Sequence, residues 1–158
     1  MGTAVITVRP MTGDDLSEVA ALEAALQPRP WSEQVFRDEL DAEHRTYLVA
    51  ASPDGIVAFA GVMVIGDEAH ITNLLVAKGS RREGIGRNMM VSLIETAAHQ
   101  GARHLTLEVR TANSAARALY AQLGLAPVGI RPRYYGDDDA LILWAHDIDR
   151  PEYLESLR

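Results

Sequence analysis

Val76-Ala77-Lys78-Gly79-Ser80-Arg81-Arg82-Glu83-Gly84-Ile85-Gly86-Arg87 is the stretch of this sequence that decides the fold. An apolar run, Ile71 to Ala77, leads into it, and a helical pattern, Ile85 to Ala98, leads out of it. A strand that turns through glycines into a helix leaves the first N–H groups of the helix unpaired, with the positive end of its dipole behind them. The stretch is therefore a candidate phosphate-binding site. A plain strand-to-helix turn with a solvated basic patch fits the spacing equally well.

The composition is that of one ordinary globular domain. The 158 residues are 47% apolar and 23% charged, which is enough for a sizeable core. The sequence contains no apolar run that predicts a membrane span and no N-terminal pattern that predicts a secretion signal. It has no cysteine, which excludes disulfides, thiolate zinc sites and a cysteine nucleophile and fits a cytoplasmic protein. The net charge of −7 argues against general nucleic-acid binding and is compatible with a cationic peptide partner.

Periodicity and turn residues predict a mixed α/β (α+β) domain with the element order β-α-α-β-β-β-α-β-α-β-β. The predicted strands are Ala4 to Arg9, Thr46 to Ala51, Ile56 to Ile65, Ala69 to Ala77, Arg103 to Val109, Val128 to Arg133 and Leu141 to Ile148. Helix caps are predicted at Thr12 with Asp15, at Ser32, and at Asn113 or Ser114. The domain is expected to cover residues 1–148, followed by a polar tail, 149–158, that is a short helix or loose.

Several motifs resemble those of one enzyme family. Arg81-Arg82-Glu83-Gly84-Ile85-Gly86 resembles the R/Q-x-x-G-x-G/A loop of the GCN5-related N-acetyltransferases (GNAT), and the element order is similar to theirs. The segment from Leu107 to Tyr120 resembles the L-E-V-R-x-x-N-x-x-A-x-x-L-Y segment of the bacterial RimI group, the N-terminal acetyltransferases of ribosomal protein S18. Shorter matches to that group are Pro30-Trp31-Ser32, Leu123-Gly124-Leu125 and Arg131-Pro132-Arg133-Tyr134-Tyr135. The resemblance runs from about Pro10 to Trp144 and implies the GNAT fold, with splayed strands 4 and 5.

The same resemblance implies acetyl-CoA as cosubstrate. It assigns the CoA pyrophosphate to the backbone of Arg82, Glu83, Gly84, Ile85, Gly86 and Arg87. It assigns the pantetheine arm and the oxyanion of the reacting thioester to the backbone of Leu74, Leu75 and Val76. Asn113 is implied to contact the cofactor as well as to cap its helix. Without the resemblance, the three strand residues would be ordinary core, and Asn113 would be a cap alone.

Two residues are implied to be catalytic. Glu108 alternates away from the leucine face of its strand; it is either a solvated carboxylate or, by resemblance, the general base. Burial would have to raise its pKa for it to take a proton near neutral pH. Tyr120 falls on the apolar stripe of its helix and is either a core aromatic or, by resemblance, the acid that protonates the departing CoA thiolate.

The acceptor implied by the resemblance is a protein or peptide N-terminus, that of a basic ribosomal protein, met by a monomer or weak dimer with no nucleic acid or membrane involved. Trp31, Tyr134 and Tyr135 are expected either to line a peptide groove or to pack locally, and Arg131 and Arg133 to form a solvated edge. The five histidines show no metal-ligand spacing, so no metal is predicted. A GNAT enzyme acting on lysine side chains or a small amine, and a non-catalytic CoA-binding module, remain alternatives.

Overall fold

The fold is described from a computed structural model for residues 5–81, 84–134 and 138–158. Within these ranges the elements follow the predicted order, and the tail after the last strand forms a short helix, one of the two alternatives given for it. The strands are β1 Thr7–Pro10, β2 Arg45–Ser52, β3 Gly55–Ile65, β4 Glu68–Val76, β5 His104–Arg110, β6 Ala126–Arg131 and β7 Ala140–His146. The α-helices are α1 Leu16–Leu26, α2 Glu33–Asp41, α3 Ile85–His99, α4 Ser114–Gln122 and α5 Pro151–Ser156, with 3₁₀ turns at Gly13–Asp15 and Lys78–Ser80.

The strands form a seven-stranded sheet in the order β1-β2-β3-β4-β5-β7-β6. The β1–β2, β2–β3, β5–β7 and β6–β7 pairs are antiparallel, whereas β4 and β5 are parallel. The parallel pair joins Glu68 with His104, Ala69 with Leu105 and His70 with Thr106. Because side chains alternate along a strand, this register sets His70 on the face of β5 that carries Thr106 and Glu108.

The chain forms two compact units. The first takes the residues up to Met63 and Thr72–Leu93, and the second takes Val64–Ile71 and Ile94–Arg158. In the first unit, Phe36 of α2 lies edge-on to Phe59 of β3, with ring centroids 5.4 Å apart. The buried cluster around these rings consists of Met11, Leu16, Val19, Phe36, Tyr47, Val49, Phe59 and Leu75. This core therefore joins α1 and α2 to the strands of their own unit.

Tyr47 fixes part of β4 within the first unit. Its hydroxyl donates to the Glu39 carboxylate at 2.8 Å and lies 3.1 Å from the Thr72 hydroxyl. A Cβ at Gly61 would overlap the Tyr47 ring and lie 2.8 Å from the Thr72 oxygen, so only glycine fits there. Burial raises the pKa of the Tyr47 hydroxyl, which keeps it a hydrogen-bond donor. The network holds β4 just before residues 74–76.

An ion pair between the partly exposed Arg9 and the buried Asp15 lies at the entry to α1. Both terminal nitrogens of Arg9 donate to the Asp15 carboxylate, at 2.7 and 2.8 Å, and the Thr12 N–H donates to it at 2.8 Å. The predicted capping box of Thr12 and Asp15 is thereby confirmed. The hydrogen bonds from Arg9, more than those from Thr12, lower the pKa of Asp15 to about 2. Asp15 is therefore a carboxylate whose ionised form the fold stabilises.

We expect Asp15→Asn to lower the free energy of unfolding at pH 7 by about 2 kcal/mol, because it removes a carboxylate whose pKa falls on folding. The contribution of Asp15 is fully present above the pKa of an unfolded aspartate, near 3.9, and is lost as the pH falls toward about 2. Urea unfolding at pH 7, 4 and 2.5 measures this dependence. The exposed neighbour Asp14 supplies the control, Asp14→Asn, and an equal loss of stability in both variants at every pH would contradict the assignment.

The second unit includes the C-terminal end of the chain. Its buried residues include Leu105, Leu107, Val109, Tyr120, Leu123, Leu143, Ala145 and Ile148, whereas none of the residues of β6 or α5 is buried. In the tail, the Tyr153 hydroxyl donates to the Leu123 carbonyl at 2.7 Å, and Leu157 is only 2% exposed. Strand β6 begins and ends earlier than predicted, and Arg133, expected to be extended, has a φ of 52°. A left-handed backbone cannot continue a strand, which is why β6 stops before it.

Candidate functional site

Glu108 is a largely enclosed carboxylate near the end of β5. Strand residues alternate between buried and half-buried along β5, and Glu108 lies on the polar face, as predicted. Its side chain is nevertheless only 12% exposed. The alternative that Glu108 is a solvated strand carboxylate is therefore wrong.

Two cationic or ionisable neighbours surround this carboxylate. His70 Nε2 lies 2.8 Å from Glu108 Oε2, and a guanidinium nitrogen of Arg131 lies 3.8 Å from Oε1. The hydrogen bond with His70, opposed by burial and assisted by the charge of Arg131, lowers the pKa of Glu108. The condition set for a general base, a pKa raised by burial, is therefore not met, because the partners outweigh the desolvation. Glu108 is an ionised, partnered carboxylate.

Tyr120 belongs to the same unit and lies on α4. Its side chain is 6% exposed, and Leu123 on the same stripe is 1% exposed, which confirms the predicted apolar face of this helix. The helix begins after Asn113, whose side-chain oxygen accepts from the Ala116 N–H at 3.1 Å. The cap role predicted for Asn113 is therefore confirmed, whereas its contact with a cofactor stays a prediction.

Residues 82–83 of the predicted phosphate loop lie outside the described ranges, and the structure gives the residues on either side of them. Before them, a 3₁₀ turn over Lys78–Ser80 ends with Arg81, whose Nε donates to the Val76 carbonyl at 3.2 Å. After them, Gly84 has a φ of 76°, a conformation that favours glycine. The Asn88 N–H donates to the Gly84 carbonyl at 3.0 Å, so the amides of Ile85 and Gly86 lie before the first bond of the helical ladder.

In this first unit the loop is preceded by the three strand residues predicted to bind the cofactor through their backbone. Leu75 is 8% exposed, and Leu74 and Val76 are half-buried. Leu75 is therefore a core residue, as its apolar side chain predicts. The binding of the cofactor by the backbone of all three residues stays a prediction.

The three aromatic residues predicted for a peptide groove have different surroundings. The Trp31 ring packs against Phe36, with centroids 5.3 Å apart, and the backbone N–H of Trp31 donates to the buried Glu23 carboxylate at 2.9 Å. Tyr134 is 49% exposed, and the Arg131 guanidinium lies over its ring at 5.5 Å. Tyr135 lies outside the described residues. Trp31 is thus packed locally, whereas Tyr134 offers an exposed aromatic surface.

Sequence reasoning missed His70 and underestimated Arg131. The sequence bears on His70 only through the spacing that a metal site would require, and it predicts only a solvated edge for Arg131. The available signal was the parallel pairing of β4 with β5: once His70 is opposite Thr106, Glu108 follows two residues later on the same face. Among residues 5–81, 84–134 and 138–158 there is no group of three or more His, Cys, Asp or Glu side chains that could hold a metal ion. Within the same ranges no helix is long and apolar enough to cross a membrane.

Comparison with known proteins adds to this geometry. The model of the acetyltransferase (GNAT) family matches residues 16–125. The ribosomal protein bS18-alanine N-acetyltransferase of Salmonella typhimurium is 35% identical over 141 residues, which are 87% of this chain and 95% of that protein. The N-alpha-acetyltransferase RimI of Mycobacterium tuberculosis is 35% identical over 139 residues, 84% of this chain and 86% of that one. The crystal structure of the ribosomal-protein-S18-alanine N-acetyltransferase of Escherichia coli superposes with a TM-score of 0.82 at 32% identity, covering 90% of this chain and 94% of that one.

Proposed function

The chain belongs to the acetyltransferase (GNAT) family, and from that membership we propose that it moves an acetyl group from acetyl-CoA to the α-amine of a protein N-terminus. It is an N-acetyltransferase, as are the relatives that cover nearly its whole length. The observation that carries the proposal is the enclosed, ionised Glu108 on β5, in a segment that matches the RimI group through to Tyr120. A carboxylate so placed serves the removal of a proton from the amine.

The reaction is a direct transfer. The amine loses a proton and its nitrogen attacks the thioester carbonyl, so that the C–N bond forms and the C–S bond breaks. Tyr120 donates its phenolic proton to the departing CoA thiolate. The second proton that leaves the nitrogen passes to solvent, and Tyr120 takes a proton back from solvent. No covalent enzyme intermediate is required, which is compatible with a sequence that has no cysteine.

We assign the cosubstrate to the predicted loop and strand. The amides at the start of α3, from Arg82 to Arg87, would hold the pyrophosphate of acetyl-CoA, because a helix N-terminus favours a phosphate group. The backbone of residues 74–76 would pair with the pantetheine arm and stabilise the oxyanion. Asn113 would contact the cofactor beside its role as a cap. The exposed ring of Tyr134, with Tyr135 and Trp31, would meet the acceptor.

The acceptor class follows from charge and from the relatives. The chain carries a net charge of −7, which attracts basic peptides, and two relatives are named ribosomal protein S18-alanine N-acetyltransferases. We therefore propose a basic ribosomal protein with an N-terminal alanine as the acceptor, met in the cytoplasm by a monomer or weak dimer. The α-amine suits a modest base, since its ordinary pKa of about 7.7–8.0 lies well below the 10.4 of lysine.

A peptide panel tests this proposal. Basic peptides that begin with Ala, Ser or Met, and an N-terminally blocked peptide with internal lysines, are incubated with acetyl-CoA, and mass spectrometry locates the acetyl group. We expect acetylation of the α-amine, fastest on the Ala peptide. Acetyl on lysine only would replace the proposal by a lysine acetyltransferase, and thiol release with a small amine alone would indicate a small-molecule enzyme. Binding of CoA with no turnover on any amine would indicate a non-catalytic module.

A further inference from the structure

The ring of Tyr47 crosses one strand of the sheet to reach the next. Tyr47 on β2 lies opposite Gly61 on β3, and a Cβ at Gly61 would overlap the buried ring. Because the middle strand has no side chain at this point, the ring passes over its backbone. The Tyr47 hydroxyl then lies 3.1 Å from the Thr72 Oγ1 on β4. One side chain thus connects three strands of the first unit.

The direction of the hydrogen bonds follows from the number of protons. A phenol carries one proton, and the Glu39 carboxylate of α2 accepts it at 2.8 Å, since a carboxylate is a stronger acceptor than a neutral group. The Asn73 amide oxygen, 3.4 Å from the Tyr47 hydroxyl, is the more distant acceptor. The Thr72 hydroxyl therefore donates to the Tyr47 oxygen. Arg45 Nε donates to both oxygens of Glu39, at 3.2 and 3.1 Å, so the chain of donors ends on a carboxylate that is itself held in place.

Three contacts fix β4 around residues 74–76. Before this segment, Thr72 is bound by Tyr47, and after it the Ala77 N–H donates to a backbone carbonyl of β3 at 2.8 Å. Between the two, the Leu75 side chain belongs to the same buried cluster as Tyr47. Loss of the Tyr47 hydroxyl would therefore release the segment at its start.

We propose that Tyr47 is a positioning residue for acetyl transfer, which holds the backbone of residues 74–76 in place through Thr72. This inference rests on the proposed function, in which that backbone stabilises the oxyanion of the reacting thioester. A backbone N–H lowers the barrier only if it already lies where the negative charge develops. A donor that is free to move loses part of this effect. Tyr47 contacts no reacting atom in the proposed reaction and acts through β4 alone.

Packing alone does not require this hydroxyl. A phenylalanine would fill the same space in the buried cluster, and its ring would cross Gly61 in the same way. The phenol brings a polar group into the core, where it needs hydrogen-bond partners. Those partners lie on α2 and on β4. The hydroxyl therefore acts on the position of β4 and the ring on the filling of the core, and a substitution can separate the two.

Removal of this hydroxyl should slow the reaction without weakening the binding of CoA. Tyr47→Phe keeps the ring and loses the contact with Thr72, so we expect kcat with an N-terminal Ala peptide to fall about tenfold. The Kd of CoA, measured by titration calorimetry, should stay within about twofold, because the oxyanion exists only during the transfer. Thr72→Val should have the same effect, and the double variant should be no slower than either, since both remove one contact. Thr72→Ser keeps a hydroxyl donor, and its kcat should stay within about twofold of the wild type.

Amide hydrogen exchange follows the segment without any substrate. In the unliganded protein we expect exchange at residues 74–76 to be about tenfold faster in Tyr47→Phe than in the wild type, relative to exchange at Val49 of β2. Ser52→Ala is the matched control, because it also removes a hydroxyl of β2, one that donates to the Gly55 carbonyl at 3.1 Å. It should lower the stability but leave kcat and the exchange at residues 74–76 as in the wild type.

Two results would overturn the inference: wild-type kcat in Tyr47→Phe, and unchanged relative exchange at residues 74–76. An equal loss of kcat in Ser52→Ala would also overturn it, because the effect would then belong to general stability. If the wild type acetylates no peptide, the proposed function fails, and the exchange in the unliganded variants decides alone whether Tyr47 fixes the segment.

Discussion

Tyr120→Phe is expected to lower kcat by about 10²- to 10⁴-fold while the KM for acetyl-CoA changes by less than about threefold. In the proposed reaction the phenol acts only as the C–S bond breaks, so its loss removes an interaction made in the transition state and not in the ground state. The ring itself is buried in α4, and phenylalanine retains this packing. Steady-state kinetics with thiol detection, at saturating peptide, measures both constants.

A half-buried tyrosine of the same unit supplies the control. Tyr153 of α5 donates its hydroxyl to the Leu123 carbonyl at 2.7 Å and has no place in the proposed reaction. Tyr153→Phe should therefore leave kcat unchanged and lower only the thermal stability, by the loss of one hydrogen bond. Full turnover in Tyr120→Phe would remove Tyr120 from the mechanism and return it to the role of a core aromatic.

Glu108→Gln is expected to lower kcat by about 10²-fold near pH 6 and to recover much of the rate near pH 9. Glutamine keeps the shape of the side chain but has no carboxylate to serve the removal of the proton, so the loss is largest where the amine still carries its proton. The pH–rate profile of kcat from pH 5.5 to 9 measures this difference. The exposed Glu68 on β4 offers the control Glu68→Gln, which should follow the wild-type profile. A Glu108→Gln profile that coincides with that of the wild type would refute a role in proton removal.

The direction of the Glu108 pKa fixes what the wild-type profile should contain. Because His70 and Arg131 lower this pKa, the carboxylate stays ionised throughout the assay range and should add no limb to the profile there. The contacts of the ionised Glu108 also stabilise the fold at every pH above the ordinary pKa of a glutamate, near 4.3. This contribution is lost as the pH falls through the lower pKa that Glu108 has in the folded protein. Glu108→Gln should therefore weaken the protein more at pH 7 than at pH 3.

Much of the fold was readable from local pattern. The alternation of Leu105, Leu107 and Val109 predicted β5, and the stripe that includes Tyr120 and Leu123 predicted the face of α4; both are confirmed by burial. Caps at Ser32 and Asn113 were predicted from residue type and are made as expected, at 3.2 and 3.1 Å. These features depend on neighbours a few positions apart, which is why sequence periodicity determines them.

The electrostatics of the candidate site were not readable in this way. A base role for Glu108 would require burial to raise its pKa, whereas two partners on other strands lower it. His70 is 38 positions away in the sequence, and Arg131 reaches the carboxylate from β6. The spacing of residues around Glu108 therefore predicts neither contact.

The sequence by itself determined the element order, the turn of β4 through Gly84 into α3, and the family to which the chain belongs. The reason is that strand alternation, helix periodicity and left-handed glycines are local properties of the chain. Only the tertiary structure decided which group stands beside Glu108, because the register of two parallel strands is set by packing over the whole sheet. That register, His70 opposite Thr106, places the imidazole beside the strand carboxylate and makes the two a hydrogen-bonded pair.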